Sequence, residues 1–176
     1  MARLARVPHF GLPLLIAAAF VASPAHLPAQ TPAPAGPQEA GVVGLFLDAA
    51  SLQPTVVLQG KRDQRRFGMA IGAAEATGIA VPLENRVPPR PLTHDLFLTL
   101  FGRLKVTVTR VVITDLRDGI YYATVVLDAG GKEMQLDARP SDAIALAIRA
   151  KAPVLVEDRV FDKSDLLPDP APAQRI

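Results

Sequence analysis

Three strand-like segments joined by two glycine turns constrain the fold of this chain most strongly. Residues 105–117 and 120–128 flank Asp118-Gly119, a favoured pair for a tight hairpin turn. The alternation of apolar and polar side chains slips at Arg110, which predicts a β-bulge there. A second turn at 129–131 leads into the alternating segment 132–139. This order predicts an antiparallel meander.

A largely apolar helix is predicted over residues 142–151, directly after the meander, and we expect it to be buried. A short strand at 153–156 follows, and then an irregular end. Upstream, the patterns predict three further strands and two further helices: strands 42–47, 55–58 and 67–71, and helices 73–81 and 93–103. The prediction is therefore an α+β fold: a single compact domain with a mixed, mostly antiparallel sheet and about three helices.

Local signals predict where these helices begin and end. Gly78 weakens the first helix, and Pro82 ends or kinks it because proline lacks the N–H that would bond to residue 78. Thr93 is the expected N-cap of the second helix, whose apolar stripe includes Phe97 and Phe101. Ser141 is the expected N-cap of the third.

The first 30 residues have the pattern of an export signal. Arg3 and Arg6 precede a short apolar run at 11–22, and small residues suited to cleavage follow. The alternative is a retained N-terminal membrane anchor. We expect a cleaved signal at 1–30, a Pro/Ala-rich linker at 31–40, the folded domain at 41–165 and a disordered Pro-rich tail at 166–176. The expected location is the periplasm or the exterior, with no membrane span after signal removal.

Charge and cysteine content exclude several classes of function. Without Arg3 and Arg6, the 19 basic residues fall to 17, which equals the number of acidic residues. A strong non-specific nucleic-acid binder normally has a basic excess. The cluster Lys61, Arg62, Arg65 and Arg66 is interpreted either as a solvated loop or as a phosphate-attracting patch. The absence of cysteine from the sequence excludes disulfides, zinc-thiolate sites and thiol catalysis.

The candidate functional residues are polar side chains at element ends. Asp137 and Arg139 share one face of a strand, and Ser141 and Asp142 open the buried helix. Together they outline an anion or metal–phosphate site, although cap and dipole roles explain each residue singly. His94, a possible base or metal ligand, and the hairpin pair Asp115 and Arg117 have the same two interpretations.

Several motifs resemble the bifunctional nuclease domain of bacteria and plants. The resemblance covers about residues 41–163 and rests on these segments: "IGAAEA", "PPRPLTHDL", "VVITDLRDGIYYATVVL" and "KEMQLDARPSDAIALAIRAKAPVLV". It implies a compact α+β domain, often dimeric, in a family named for DNase and RNase activity of plant members. It adds Glu75 to the candidate residues. The chain departs from the family pattern before "IG" and at Gly78 and Pro82, and its export signal is unusual for the family.

Two hypotheses follow from these residues and this resemblance. The first is a nuclease that hydrolyses phosphodiester bonds in DNA or RNA with the help of Mg²⁺ or Mn²⁺. In it, Asp137, Asp142 and Asp115 hold the metal, Arg139, Arg117 and Ser141 bind phosphate, and His94 or Glu75 acts as base, so that the catalytic set is His94, Glu75, Asp137 and Asp142. The second is a non-catalytic ligand-binding or dimerisation module, in which the same residues only stabilise the fold.

Overall fold

Eight strands form one sheet within residues 36–48 and 51–168, the part of the chain that the computed structural model describes. The strands are β1 (Gln38–Leu47), β2 (Pro54–Gly60), β3 (Arg66–Ala70), β4 (Val106–Arg117), β5 (Ile120–Ala129), β6 (Glu133–Ala138), β7 (Val154–Val156) and β8 (Leu166–Leu167). The helices of the same residues are α1 (Ala73–Leu83), α2 (Thr93–Arg103), α3 (Pro140–Ala150) and α4 (Asp158–Lys163).

The strand order is β6-β5-β4-β7-β1-β2-β3-β8. Every neighbouring pair is antiparallel except β4 and β7, which are parallel. The short parallel strand β7 therefore joins two antiparallel halves into one sheet. The predicted α+β class and the mostly antiparallel sheet are confirmed, and the short helix α4 adds to the three that the sequence predicted.

The meander β4-β5-β6 forms as the sequence predicts. Asp118 and Gly119 both have positive φ, 50° and 76°, as a primed two-residue hairpin turn requires. The register between β4 and β5 shifts between Val108 and Arg110, which is the predicted bulge. A second shift between Ile113 and Asp115 has no counterpart in the prediction.

Helix α3 is the central helix of the core. Five consecutive residues are buried, Ala143 to Ala147, and they belong to a core cluster that includes side chains of β4 and β5. The helix begins at Pro140, and its N-cap is Arg139 rather than Ser141. The predicted N-cap is wrong because proline at the first helical position, with φ already fixed, starts the helix earlier. Ser141 thus lies inside the first turn.

Two helices differ from their predicted boundaries. Helix α1 continues through Gly78 and Pro82 to Leu83 instead of ending before the proline. The N-cap of α2 is Leu92 rather than Thr93, because the Asp95 carboxylate accepts the Leu92 N–H at 2.8 Å and places the helix start one residue earlier.

The ends of the domain are more ordered than the composition indicates. β1 begins at Gln38, inside the segment expected to be linker, because its first residues pair with β7. At the other end, β8 falls within the expected tail and pairs with β3. No helix in residues 36–48 and 51–168 is long and apolar enough to cross a membrane. The predicted signal at 1–30 lies outside the described residues.

Candidate functional site

A continuous chain of polar contacts joins three helix starts. His94 Nε2 lies 3.2 Å from Asp142 Oδ1. Arg139 donates from Nε to Asp142 Oδ2 at 2.7 Å and from Nη2 to Oδ1 at 3.1 Å. Its Nη1 donates to Glu75 Oε1 at 2.6 Å. Residues from α1, α2 and α3 thus meet around one arginine.

The two carboxylates in this series of polar contacts, Asp142 and Glu75, are ionised. Burial would by itself raise the pKa of Asp142, but hydrogen bonds from Arg139 and His94 outweigh it and lower the pKa below the ordinary value. The pKa of Glu75 is lowered by its own backbone N–H and then by Arg139. The pKa of Arg139 is raised by Asp142 and then by Glu75. Arg139 is therefore a fixed positive charge held by two carboxylates.

His94 is packed tightly between α1 and α3. Its side chain is only 13% exposed. A Cβ at Gly78 would stand 2.8 Å from His94 Cε1 and 3.2 Å from Nδ1, so the Nδ1–Cε1 edge of the ring lies against the backbone of α1. The absence of a side chain at position 78 gives the imidazole its place.

Arg149 also connects the three helices α1, α2 and α3. Its side chain is 7% exposed, and its Nε donates to Asp95 Oδ1 at 2.7 Å. Its Nη1 donates to the carbonyls of Gly78 at 2.6 Å and Ala145 at 3.0 Å. The Gly78 carbonyl is the one that the N–H of residue 82 would bond in a regular helix, and Pro82 has none. Arg149 replaces that missing donor.

Two clefts flank Arg139. The first, of about 320 Å³, is called here the hairpin cleft and is lined by Met69, Ala70, Ile71, Gly72, Glu75, Gly119, Ile120, Tyr121, Arg139, Pro140 and Ser141. The second, of about 460 Å³, is called the helix cleft and is lined by Thr93, His94, Phe97, Phe101, Val125, Leu136, Asp137, Ala138, Arg139, Asp142 and Leu146. Arg139 lines both and forms a wall between them.

Comparison with known proteins identifies the family of this chain. The family model described as "Bifunctional nuclease domain" matches residues 56–168. This chain belongs to the bifunctional nuclease domain family. The match spans most of the sheet and all four helices, so the polar chain around Arg139 lies within the bifunctional nuclease domain.

Relatives occur in bacteria and plants. An uncharacterized protein of Mycobacterium tuberculosis is 37% identical over 129 residues, which cover 73% of this chain and 77% of that protein. Proteins called "Bifunctional nuclease 1" of Oryza sativa subsp. japonica and "Bifunctional nuclease" of Oryza minuta are each 32% identical over 96 residues. Those matches cover 52% of this chain but only 29% of each rice protein.

The site of this bifunctional nuclease domain brings together six of the eight residues that the sequence singled out. Glu75, His94, Asp137, Arg139, Ser141 and Asp142 all line one or both clefts. Asp137 is exposed, and within the described part of the chain its carboxylate has no hydrogen bond or ion pair. Ser141 is only 6% exposed, and its hydroxyl has no hydrogen bond to any described residue. Of the six residues, these are the two whose side chains make no hydrogen bond within the described structure.

The hairpin pair Asp115 and Arg117 has other partners. Asp115 accepts a hydrogen bond from Lys163 Nζ at 2.6 Å, which lowers the pKa of this carboxyl. The Arg117 guanidinium lies 3.8 Å from the centre of the Tyr122 ring, a cation–π contact, and 3.4 Å from Asp115. Neither residue lines the hairpin cleft or the helix cleft.

The carboxylates expected to hold a metal ion do not form a ligand set. Among the residues that the structure describes, no group of three or more His, Asp or Glu side chains is placed to hold an ion. Both oxygens of Asp142 accept hydrogen bonds from Arg139, and Asp115 is bound to Lys163. Asp137 is the single expected ligand with a free carboxylate. The donors present therefore do not fit a preassembled three-carboxylate metal site.

Three of the four cations in the basic cluster at 61–66 form ion pairs with acidic residues of the described structure. Lys61 pairs with Glu39, and Arg62 pairs with Asp158. Arg65 pairs with Asp63 and with Asp162, each at 2.7 Å. The interpretation as a loop between strands is confirmed, since residues 61–65 connect β2 to β3. Arg139 lines both clefts, whereas no residue of the cluster at 61–66 lines either of them.

The sequence did not predict a role for Arg149 or its ion pair with Asp95. Arg149 lies in the last turn of a helix that is otherwise apolar, where a cation ordinarily suits the helix dipole. The available signal was the proline at position 82, which predicts an unbonded carbonyl at Gly78 and hence a donor from elsewhere.

Proposed function

We propose that this protein hydrolyses phosphodiester bonds in DNA or RNA at the wall that Arg139 forms between the two clefts. The observation that supports it is the state of this guanidinium, which is held in place by two carboxylates yet 65% exposed. Arginine has five N–H donors, and the three bonds to Glu75 and Asp142 leave two. A fork of two N–H groups suits two oxygens of one phosphate.

Asp137 is the proposed general base of this reaction. It lines the helix cleft together with Arg139, and its carboxylate is free to accept a proton. A water oxygen would form the new bond to phosphorus while the bond from phosphorus to the leaving sugar oxygen breaks. One proton of the water passes to Asp137, and the leaving oxygen takes a proton from solvent.

His94, Asp142 and Glu75 are proposed to hold Arg139 rather than to take the proton. The Nε2 of His94 faces Asp142, and the Nδ1–Cε1 edge of the ring is packed against Gly78. Glu75 and Asp142 are both committed to Arg139. His94 and Glu75 are the two bases that the sequence analysis names. Their contacts leave neither side chain with a free acceptor at the cleft, which favours Asp137 as the base.

The help of Mg²⁺ or Mn²⁺, expected from the sequence, stays a prediction. Because the carboxylates do not form a ligand set, no step of the proposed reaction is assigned to a metal ion. Activity measured with each ion and with a chelator tests this part separately.

The experiment is a cleavage assay with the full-length protein on short DNA and RNA, with Mg²⁺, with Mn²⁺ and with EDTA. Arg139→Lys and Asp137→Asn, both exposed, should keep the wild-type melting temperature. We expect each to lower kcat/KM by at least about a hundredfold, because Lys cannot make the bidentate contact and Asn cannot accept the proton. Wild-type rates in both variants, or no cleavage by the wild type under any condition, would overturn the proposal.

A dimerisation role is the second candidate, and a surface feature favours it. Two leucines one turn apart on α2 are exposed in the described structure, Leu96 and Leu100. They form a stripe at helical spacing, which in a soluble domain marks a contact surface. We propose that a second copy of the chain covers this stripe. Light scattering should show a dimer that Leu100→Asp converts to a monomer, whereas a monomeric wild type would contradict it.

The proposed place of action is the periplasm or the exterior, with residues 1–30 removed as an export signal. Its support is the sequence pattern of Arg3, Arg6 and the apolar run that follows. Cell fractionation with terminal sequencing of the purified protein tests it. A protein found in the cytoplasm with its first residues intact would contradict it, and a full-length protein in the membrane fraction would indicate the retained anchor.

A further inference from the structure

Two phenylalanines of α2 form an apolar wall of the helix cleft. Phe97 and Phe101 are one helical turn apart, with ring centroids separated by 6.1 Å and planes inclined by 55°. Phe97 is 45% exposed although it lines a concave surface. Leu136 of β6 lines the same cleft and is 46% exposed. The cleft therefore offers aromatic and aliphatic surface that the fold itself leaves unburied.

The polar groups of the site lie in the same cleft. Thr93, His94, Asp137, Arg139 and Asp142 line it beside the two rings. A cleft of about 460 Å³ with an apolar wall and a few convergent polar groups has the size and character of a small-ligand site.

The proposed position of the phosphate limits which part of a ligand can contact this apolar wall. A nucleotide whose phosphate binds the free N–H groups of Arg139 has its base within reach of the helix cleft, because Arg139 and Phe97 line the same cleft. Flat, neutral and apolar on both faces, a base stacks on aromatic rings in a way that tolerates any sequence.

We infer that the helix cleft is a stacking subsite for one unpaired nucleobase, with Phe97 as its main contact and Phe101 and Leu136 completing the wall. This inference rests on the proposed function, because the phosphate on Arg139 brings the base to the cleft. A base in a duplex is paired and stacked on its neighbours, so it must leave the helix to enter. The subsite therefore selects single-stranded nucleic acid or nucleotides that are unpaired within a duplex.

The experiment compares binding of three fluorescent probes by anisotropy: a short single-stranded DNA, an abasic strand with the same number of phosphates, and a duplex. The variants are Phe97→Ala, Phe97→Tyr and Arg139→Ala in the full chain. Leu104→Ala is the matched control, because Leu104 is 62% exposed at the C-cap of the same helix and outside the cleft.

Phe97→Ala should bind the single strand about tenfold more weakly and the abasic strand as well as the wild type does, since stacking on one aromatic ring is worth roughly 1–3 kcal/mol per base. Phe97→Tyr should restore the affinity, and Leu104→Ala should leave it unchanged. Arg139→Ala should weaken binding of the single and abasic strands alike. Leu136→Ala provides a second, independent change in the cleft if Phe97→Ala lowers the melting temperature.

The outcomes separate the subsite from the phosphate site. If Phe97→Ala and Leu136→Ala leave single-strand binding unchanged while Arg139→Ala weakens it, the subsite is overturned and the proposed function stands. Equal losses on the single and abasic strands, or an equal loss in Leu104→Ala, also overturn the subsite. If the wild type binds no probe and cleaves none, the proposed function fails and the subsite fails with it.

Discussion

The imidazole of His94 occupies the space that a side chain at Gly78 would need. A Cβ at position 78 would stand 2.8 Å from His94 Cε1, closer than packed carbon atoms approach. The Nε2 of the same ring contacts Asp142, which in turn binds Arg139. The position of the site's cation therefore depends on a glycine in the middle of a neighbouring helix.

Gly78→Ala should destabilise the protein, although alanine is the better helix former by about 1 kcal/mol. The added methyl group forces His94 or α1 to move, an overpacking that costs roughly 1–3 kcal/mol. Urea unfolding measures the change. Gly102→Ala in α2 is the matched control, because a Cβ there meets no atom within 4 Å, and it should stabilise. A Gly78→Ala variant as stable as wild type would contradict the packing described.

The same helix shows where sequence reasoning ended. The sequence predicts that Gly78 weakens this helix and that Pro82 ends or kinks it, because in an isolated helix glycine costs backbone entropy and proline removes a hydrogen bond. In the fold, His94 fills the space over the glycine, and Arg149 bonds the carbonyl left by the proline. Both compensations come from distant segments, which local periodicity does not report.

Arg149→Met should lower the free energy of unfolding by about 2 kcal/mol. The substitution removes the donor to the Gly78 carbonyl and the partner of Asp95, and hydrogen bonds to charged groups are worth about 1.5–3 kcal/mol each. Part of this is offset, because Nη2 of Arg149 is buried without a hydrogen-bond partner among the described residues.

The control for this variant is Arg110→Met. Arg110 pairs with Glu133 on an exposed surface, where an ion pair contributes about 0–1 kcal/mol. Chemical unfolding measures the free energy of unfolding of both variants. If the two variants lose equal amounts, the burial of Arg149 contributes nothing beyond an exposed ion pair.

The ion pair of Asp95 with Arg149 should make stability depend on acid pH. Burial would raise the pKa of Asp95, but Arg149 and the Leu92 N–H outweigh it and hold the pKa below the ordinary 3.8. A carboxyl with a lowered folded pKa stabilises fully above its unfolded pKa and loses this contribution as the pH falls through the folded value.

Wild type should therefore exceed Asp95→Asn in melting temperature by a constant margin between about pH 5 and 8, and the margin should shrink below about pH 4. Differential scanning calorimetry across this range tests the sign. Glu84→Gln is the control, since Glu84 pairs only with Arg86 among the described residues and both are largely exposed. A margin that grows on acidification would contradict the assignment.

Glu75→Gln should affect activity much more than stability. Glu75 bonds the exposed guanidinium of Arg139, so its loss changes the melting temperature little. Arg139 then keeps only Asp142 as an anchor and is held less firmly for the phosphate. We expect kcat/KM to fall by roughly ten- to a hundredfold, because small displacements of a positioning group have effects of this size. A variant with wild-type activity would show that Asp142 alone is sufficient.

Only part of the candidate site could be predicted from the sequence. Asp137, Arg139 and Asp142 lie close together because a strand end and a helix start adjoin along the chain. The contact of His94 with Asp142 spans 48 residues and depends on how α2 packs against α3. Asp115 and Arg117 belong to the same set of candidates, but the length of β4 places them at a hairpin with their own partners, Lys163 and Tyr122.

The salt dependence of nucleic-acid binding should identify which cations contact phosphate. Arg139 is 65% exposed beside both clefts, whereas Arg65 is only 27% exposed and lies among Asp63, Asp158 and Asp162. Each phosphate contact contributes about 0.7 to the slope of log K against log salt for a single strand. Arg139→Gln should therefore reduce the measured slope by about one contact, and Arg65→Gln should leave it unchanged. Anisotropy titrations of single-stranded DNA at several salt concentrations provide both slopes, and a reduction in Arg65→Gln alone would move the phosphate contact to the loop between β2 and β3.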